Sequence, residues 1–528
     1  TRAADEDAIS ASCLPRPYAR SLTRWAVALV AVGVAWRVLR YWLRFPLWGD
    51  EAFVCLNFLD RDYLSLTEPL RYHQLVPVLF MWSELTAYRL LGGAELAVRL
   101  LPFLAGLGSL ALFWRLARLS VGPRAAVLAV GTLAVAYYPV RHSCEVKPYA
   151  FDLLMALALM VPAVTWLRRP ERLAPLAFLA AFVTVALTAS YTAVFVAGAV
   201  SIALLPTAWR QPGWKARSLY AVYSLLIVAT FLGNYWFIGR PQLLAFGKVG
   251  QEYWALSFPP AQPWALIRWL LSTHTGNMLA YPVGANDWAS TPTFLLVVAG
   301  AYRLWRNRQR QLLLLFLAPF GLTFIAAAMH RYPYGGSARI AQHVAPAICL
   351  LAGTGTAALL EWLAHAPATL HRLTAGCCGI LALIGAGGIA HDVMKPYKTE
   401  GDYRVRRLVA EIAGQAAADH QIVVLDQRSK IGSTFEWYLR QQGDRVAWAG
   451  RVDWHRLRTS TSQLWCLRFY ADPTEAARFA DRVAETNPGL VLADHASHTF
   501  PLGWSKDNVE HCEVFHWVRR PASPSSAR

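Results

Sequence analysis

Residues 149–169 read YAFDLLMALALMVPAVTWLRR, and no charged residue occurs between Asp152 and Arg168. A helix needs about 20 predominantly apolar residues to cross the hydrocarbon core of a bilayer. A helix also satisfies all its backbone hydrogen bonds internally, which a lipid environment demands. The stretch therefore predicts a membrane-spanning helix that ends at a basic pair.

Comparable apolar runs recur along most of the chain. They cover residues 24–45, 97–119, 124–141, 149–167, 174–189, 191–209, 217–238, 292–305, 311–329, 340–363 and 373–393. We therefore predict an α-helical polytopic membrane protein with about 11 transmembrane helices.

The composition agrees with this class. Of 528 residues, 55% are hydrophobic and 16% are charged, whereas a soluble domain carries about a quarter charged residues. The net charge of +18 comes from arginines in short loops and not from one basic domain, so we expect no nucleic-acid partner. The eight cysteines lack the spacing of a zinc site.

Loop charge predicts the orientation, because cytoplasmic loops are enriched in Lys and Arg. The loops around Arg118, Arg169, Arg217, Arg308 and Arg372 are basic, and the first loop on the opposite side is acidic. We predict an inner (plasma) membrane protein with a cytoplasmic segment 1–23, a transmembrane domain 24–393 and long outer loops at 46–96 and 239–291. Residues 394–519 then form an extracytoplasmic domain, followed by a disordered tail at 520–528.

The predicted extracytoplasmic domain is a small α/β unit. Helix-like stretches at 401–418, 433–442 and 473–485 alternate with extended stretches at 421–425, 464–469 and 490–493. Cys466 and Cys512 both fall in this domain, and their spacing leaves open whether they form a disulfide.

Two adjacent carboxylates, Asp50 and Glu51, follow the first predicted span in the run WGDEA at 48–52. Such a pair is costly at a membrane surface unless it pairs with cations, binds a metal or acts as a base. Transfer of a group to a hydroxyl or amine acceptor needs a carboxylate to take or hold the acceptor proton. The alternative is an acidic boundary that favours translocation of the loop.

A second cluster lies at the outer end of the third predicted span, in RHSCEVKPY at 141–149. Lys147 could hold a phosphate as a point charge, and His142 with Glu145 could bind a divalent ion. The alternative is an interfacial turn whose long side chains reach toward the head groups.

A third cluster is RYPYGGSAR at 331–339. The paired glycines could bring backbone N–H groups close to an anion, and Arg339 could hold a phosphate; a flexible hairpin is the alternative. His73, in the acidic outer loop, is either catalytic or structural. Arg37, Arg40 and Arg44, in the outer half of the first span, are expected to reach toward the interface, although a charge within a span is by default a functional hypothesis.

Several of these runs together resemble the membrane glycosyltransferases of family 39, which have the GT-C fold. That family includes the protein O-mannosyltransferases and the aminoarabinose transferase of lipid A. The resemblance rests on the order of LWGDEA (47–52), YHQLVPVLF (72–80), LGGAELAVRLLPFLAG (91–106), SCEVKPYAFDLL (143–154), YPYGGSARIAQHVAP (332–346) and KPYKTEGDYRVRRLV (395–409).

The resemblance implies an inverting transfer of a sugar from a polyprenyl-phosphate donor to an extracytoplasmic lipid, glycan or protein. It places the catalytic carboxylate at Asp50 and Glu51. The predicted substrate-binding residues are His73, Glu145, Lys147, Tyr149, Arg331 and Arg339. The last 100 residues or so lack the β-trefoil character of eukaryotic protein mannosyltransferases.

Two questions stay open at this point. Glu51, His142 and Glu145 are candidate ligands of a divalent metal, but the sequence does not decide whether one is bound. A polytopic transporter or flippase of lipid-linked or glycan substrates is the alternative function. Such proteins usually place their charged residues at mid-membrane on broken, repeated helices, and this chain contains no such repeat.

Overall fold

A computed structural model describes residues 16–286, 288–415, 421–425, 430–441, 446–449, 462–469, 473–486, 489–502 and 509–520. The predicted N-terminal segment as far as residue 15 and the predicted tail from residue 521 lie outside these ranges. The chain forms two compact units. The first contains residues up to 43, 61–92 and 96–394, and the second contains 44–60, 93–95 and the residues from 395.

Helices dominate both units. In chain order they are α1 (Arg16–Trp42), α2 (Gly49–Asp60), α3 (Val78–Leu91), α4 (Glu95–Val98), α5 (Leu100–Ser120), α6 (Pro123–Ala134), α7 (Tyr137–His142), α8 (Tyr149–Arg168), α9 (Ala174–Ala189), α10 (Ala193–Arg210), α11 (Trp214–Asn234), α12 (Arg240–Tyr253), α13 (Pro263–Thr275), α14 (Thr291–Arg306), α15 (Arg310–Ala328), α16 (Ala345–Leu363), α17 (Pro367–Met394), α18 (Glu400–Gln415), α19 (Lys430–Arg440) and α20 (Pro473–Thr486).

Each of the eleven predicted spans contains a helix of the first unit. Among the described residues, eight helices are long and apolar enough to cross a membrane, namely α1, α5, α8, α10, α11, α15, α16 and α17. The other three, α6, α9 and α14, have 12, 16 and 16 residues. The chain is therefore a multi-pass membrane protein, as predicted.

Small residues let helix α16 pack closely against its neighbours. A Cβ atom on Gly300 of α14 would lie 1.9 Å from the Leu351 carbonyl oxygen. One on Gly355 of α16 would lie 2.0 Å from the Leu296 carbonyl oxygen. Because helices in lipid associate through close packing and not through hydrophobic burial, such contacts need glycine.

Arg37 and Arg40 of α1 are buried inside the first unit, and the prediction that these two reach toward the interface is wrong. Arg40 Nη1 lies 2.6 Å from Asp392 Oδ1 on α17, and Trp36 Nε1 donates to the other oxygen of that carboxylate at 2.7 Å. Arg37 Nη1 donates to the Ala134 carbonyl at 2.8 Å. Paired, buried charges thus join the first span to the last.

The second unit contains a five-stranded sheet, which confirms the predicted α/β class. Its strands are β1 (Gln421–Leu425), β2 (Val446–Ala449), β3 (Gln463–Phe469), β4 (Leu490–Pro501) and β5 (Val509–Arg519), in the order β2-β1-β3-β5-β4. Strand β1 pairs in parallel with β2 and β3, whereas β5 is antiparallel to β3 and β4. Helices α18 and α19 share one apolar core with β3 and β5.

The two cysteines of this domain are buried free thiols. Cys466 is opposite Phe515 and Cys512 is opposite Phe469 on paired strands, so the two are offset by three positions. At about 3.4 Å per residue this offset puts the thiols roughly 10 Å apart along the strands. That exceeds the reach of a disulfide, whose Cα atoms lie within about 7 Å of each other.

Candidate active site

The acidic pair begins helix α2, in the second unit. The Trp48 carbonyl accepts the N–H groups of Glu51 at 2.8 Å and Ala52 at 3.0 Å. The Glu51 carboxylate in turn accepts the Trp48 backbone N–H at 3.4 Å, which is the return bond of a capping box. Glu51 is fully buried, whereas Asp50 is half-buried. The two neighbouring carboxylates therefore have different environments.

Charged residues of helix α18 and the segment before it lie near this helix start. The Lys398 ammonium lies against the face of the Trp48 indole, which is a cation–π contact. Asp402 accepts a hydrogen bond from Thr434 Oγ1 at 3.3 Å. Burial raises the pKa of Asp402 to about 7, and the negative charge of Glu51 contributes to that rise. Glu51 thus lies in a polar, buried cluster of the second unit.

In the first unit, the turn after α7 holds the second predicted cluster together. Arg141 Nε donates to Glu145 Oε1 at 2.7 Å, and His142 Nδ1 lies 2.9 Å from the other oxygen of that carboxylate. Burial lowers the pKa of His142 to about 4, although Glu145 opposes the shift. At neutral pH, His142 is therefore an uncharged donor to Glu145.

Lys147 connects this turn to the loop between α2 and α3. Its Nζ donates to Gln74 Oε1 at 2.8 Å, and its backbone N–H donates to the Glu145 carbonyl at 2.8 Å. Only 5% of Lys147 is exposed. An ammonium so deeply buried is rare unless its charge is used or balanced.

The loop segment next to Gln74 is conformationally constrained. Tyr72 and His73 have φ values of 57° and 53°, in the left-handed region that non-glycine residues seldom adopt. His73 is exposed, and its Nδ1 lies 2.8 Å from the Ala245 carbonyl oxygen. Strained backbone of this kind concentrates at functional sites, and here it immediately precedes Gln74.

Helix α8 begins at Tyr149, whose ring lies 4.8 Å from that of His142. One turn later, Asp152 is buried and accepts a hydrogen bond from Ser190 Oγ at 2.5 Å. Sequence reasoning missed Asp152 and Gln74. For Asp152 a signal existed, because an acidic residue within a predicted span is by default a functional hypothesis.

Arg339 lies between two aromatic rings at the end of helix α12. Its Nη2 donates to the Tyr253 hydroxyl at 2.7 Å, and its guanidinium lies 5.0 Å from the Trp254 ring centroid. The charge of Arg339 also contributes to the lowered pKa of His142. Arg331 is exposed, in the turn that follows helix α15.

The paired glycines before Arg339 are required by their conformation. Gly335 and Gly336 have φ values of 67° and 70°. A Cβ on Gly335 would lie 2.1 Å from a Thr273 methyl, and one on Gly336 would lie 2.2 Å from the Ser257 hydroxyl. The segment therefore packs against its neighbours and is not the flexible hairpin considered as an alternative.

The candidate metal ligands do not form a complete set within the described residues. No three His, Cys, Asp or Glu side chains there are grouped as a metal site requires. His142 and Glu145 contact each other in the first unit, and Glu51 caps α2 in the second.

Comparison with known proteins identifies the fold. Residues 76–237 match the model of the dolichyl-phosphate-mannose-protein mannosyltransferase family. The crystal structure of ArnT from Cupriavidus metallidurans in the apo state is 14% identical, with a TM-score of 0.54, over 94% of this chain and 98% of that chain. The structure of the same protein bound to undecaprenyl phosphate has a TM-score of 0.53 at 14% identity, over 93% of this chain and 98% of ArnT. No curated protein matches the chain in sequence.

The chain thus has the GT-C fold of membrane glycosyltransferases, and the predicted resemblance is confirmed. The matched segment begins at Val76, two residues after Gln74, and includes the Arg141–Tyr149 cluster and helices α8 to α11. The acidic pair and Arg339 lie outside the part that this model matches.

Proposed function

We propose that this protein is an inverting glycosyltransferase that moves a sugar from a polyprenyl-phosphate donor to a lipid, glycan or protein acceptor. The observation that carries the proposal is the contrast between two neighbouring carboxylates. Glu51 is fully buried and accepts the Trp48 N–H, whereas Asp50 is half-buried, so Asp50 is the more accessible of the two to an acceptor. A general base must reach the proton that it removes.

The first unit supplies groups suited to a lipid phosphate. Lys147, which is buried and donates to Gln74, and Arg339, which donates to the Tyr253 hydroxyl, are the cations that we propose to contact it. The phosphodiester of the donor, and the monoester that is left after transfer, carry the same charge whichever polyprenol is attached, and cations bind such phosphates strongly. ArnT, whose fold this chain shares, has been crystallised with undecaprenyl phosphate. Glu145, Tyr149, His73 and Arg331 complete the proposed substrate-binding set.

The proposed step forms one bond and breaks one. The acceptor oxygen or nitrogen forms a bond to the anomeric carbon while the bond from that carbon to the phosphate oxygen breaks. Asp50 takes the acceptor proton, and the leaving lipid phosphate keeps the bonding electron pair. Lys147 and Arg339 offset the charge that develops on the phosphate, which is the usual source of the largest rate effect.

The role of Lys147 can be tested by changing its charge and its shape separately. Lys147→Ala should weaken use of the donor about 10- to 100-fold, because a charge-assisted contact contributes about 1.5–3 kcal/mol. Lys147→Arg should keep part of the activity if the contact is a point charge. The donor KM is measured with lipid-linked sugars extracted from the native membrane as donors, and the released polyprenyl phosphate is quantified by mass spectrometry.

The matched control is Lys215→Ala, at an exposed position. An unchanged donor KM for Lys147→Ala would remove Lys147 from the proposed site.

We also propose that the active face and the second unit are extracytoplasmic. On a cysteine-free background, cysteines at the exposed positions Leu256 and Arg407 should react with a membrane-impermeant reagent on intact cells. Cysteines at Arg172 and Arg308 should react only after the membrane is permeabilised, because both lie in basic loops. Labelling of Arg308→Cys in intact cells would reverse the proposed orientation.

A further inference from the structure

Helix α2, which begins at the acidic pair, belongs to the second compact unit although its sequence lies in the first outer loop. It packs against helix α19 of the C-terminal domain. Residues 93–95, from the end of the same loop, belong to this unit as well. The chain segment that carries the proposed base therefore packs with the C-terminal domain as one unit.

The start of α2 is held by a hydrogen-bond network around Tyr438. The Tyr438 hydroxyl accepts the Leu47 backbone N–H at 2.9 Å and donates to Glu95 Oε1 at 3.0 Å. Arg406 Nη1 reaches the same Glu95 oxygen at 3.3 Å and the Arg44 carbonyl at 2.6 Å. Leu47 is three residues before Asp50, so this network sets where the helix begins.

The far end of α2 is held by an ion pair. Both guanidinium Nη atoms of Arg440 donate to the two carboxylate oxygens of Asp60, the last residue of α2, with Nη1 at 2.9 Å from Oδ2. Such a bidentate pair fixes orientation as well as distance. Helix α2 has 12 residues, or about 18 Å of length, and the domain holds it at both ends.

We infer that Tyr438 and Arg440 are positioning residues, and that the C-terminal domain sets the orientation of Asp50 and Glu51. The inference rests on the proposed function of this pair. Since a displacement of about 1 Å at a reacting group can cost about 100-fold in rate, a helix released at one end should lose rate without losing its fold. The domain is then part of the catalytic apparatus and not only a binding module.

The exposure of the ion pair makes the inference testable. Arg440 and Asp60 are 23% and 31% exposed, and partly exposed pairs contribute about 1 kcal/mol or less to stability. Arg440→Ala should therefore give a folded protein with kcat reduced about 10-fold or more and the donor KM changed less than about twofold. Tyr438→Phe should act in the same direction, because it removes both hydroxyl bonds.

Charge reversal separates positioning from general damage. The double variant Arg440→Asp with Asp60→Arg should recover kcat to within about threefold of the unaltered protein, whereas each single reversal stays slow. Arg407→Ala is the control, because Arg407 is an exposed arginine of the same domain, paired at 3.8 Å with Glu411, and should have no effect. All rates are measured on the full chain as released polyprenyl phosphate, with thermal unfolding as the check on folding.

Two results distinguish failure of this inference from failure of the proposed function. Native kcat in both Arg440→Ala and Tyr438→Phe, with Asp50→Asn inactive, would overturn the positioning role alone. Native kcat in Asp50→Asn would remove Asp50 as the base, and absence of sugar transfer by the unaltered protein would overturn the proposed function and the inference with it. If the double-reversal variant is folded but its kcat stays low, this result would also count against positioning by the ion pair.

Discussion

The Asp50→Asn variant is expected to transfer sugar about 10²–10⁴ times more slowly than the unaltered protein. Asparagine keeps the shape and the hydrogen bonding of the side chain but cannot take the acceptor proton. Donor affinity should change little, because the proposed phosphate contacts are at Lys147 and Arg339. Single-turnover rates with saturating donor, alongside donor KM, measure both effects.

Glu51→Gln is the informative comparison. A glutamine oxygen can still accept the Trp48 N–H that Glu51 accepts now, so helix α2 should keep its start and the rate should fall less than about 10-fold. Asp62→Asn, in the same loop, controls for loss of an acidic charge there. Transfer by Asp50→Asn at nearly the native rate would refute its role as base, and a larger effect of Glu51→Gln would assign that role to Glu51.

The membrane fold could be predicted because its signal is local. Apolar runs bounded by arginines, such as the one from Leu153 to Arg168, identify spanning helices whatever they pack against. The tight packing at Gly300 and Gly355 depends on neighbouring helices and leaves the apolar pattern of the sequence unchanged. Such runs do not show which distant residues pair, so the ion pair of Arg40 with Asp392, 352 positions away, was not predicted.

The candidate site was only partly predictable for a similar reason. Asp50, Glu51 and Lys147 were conspicuous as charges beside spans. Gln74, a neutral side chain in a loop, became significant only through its contact with Lys147. The membership of α2 in the C-terminal unit depends on pairs such as Arg440 and Asp60, which are 380 positions apart. Strand β5 was also missed, although VEHCEVFHWVR at 509–519 contains the apolar residues that β3 packs against.

Replacement of Glu145 by alanine is expected to give the largest loss of stability. Glu145 is 3% exposed and pairs with Arg141, whose side chain is 15% exposed. Removing one partner of a buried pair costs about 3–5 kcal/mol, because the other charge stays buried without compensation. His142 cannot compensate for the loss, since burial already lowers its pKa to about 4. Thermal or denaturant unfolding in detergent measures the change.

A second pair with the same spacing provides the control. Glu400 and Arg404 are also four residues apart on a helix, but they are 47% and 49% exposed. Glu400→Ala should therefore lower the free energy of unfolding by less than about 0.5 kcal/mol.

If burial is the cause of the difference, the double change Arg141→Met with Glu145→Met should recover most of the stability, because apolar side chains can replace a buried pair. That variant should still transfer poorly, since the Glu145 carboxylate is part of the proposed substrate site. Equal losses in Glu145→Ala and Glu400→Ala would mean that burial of the pair does not govern stability here.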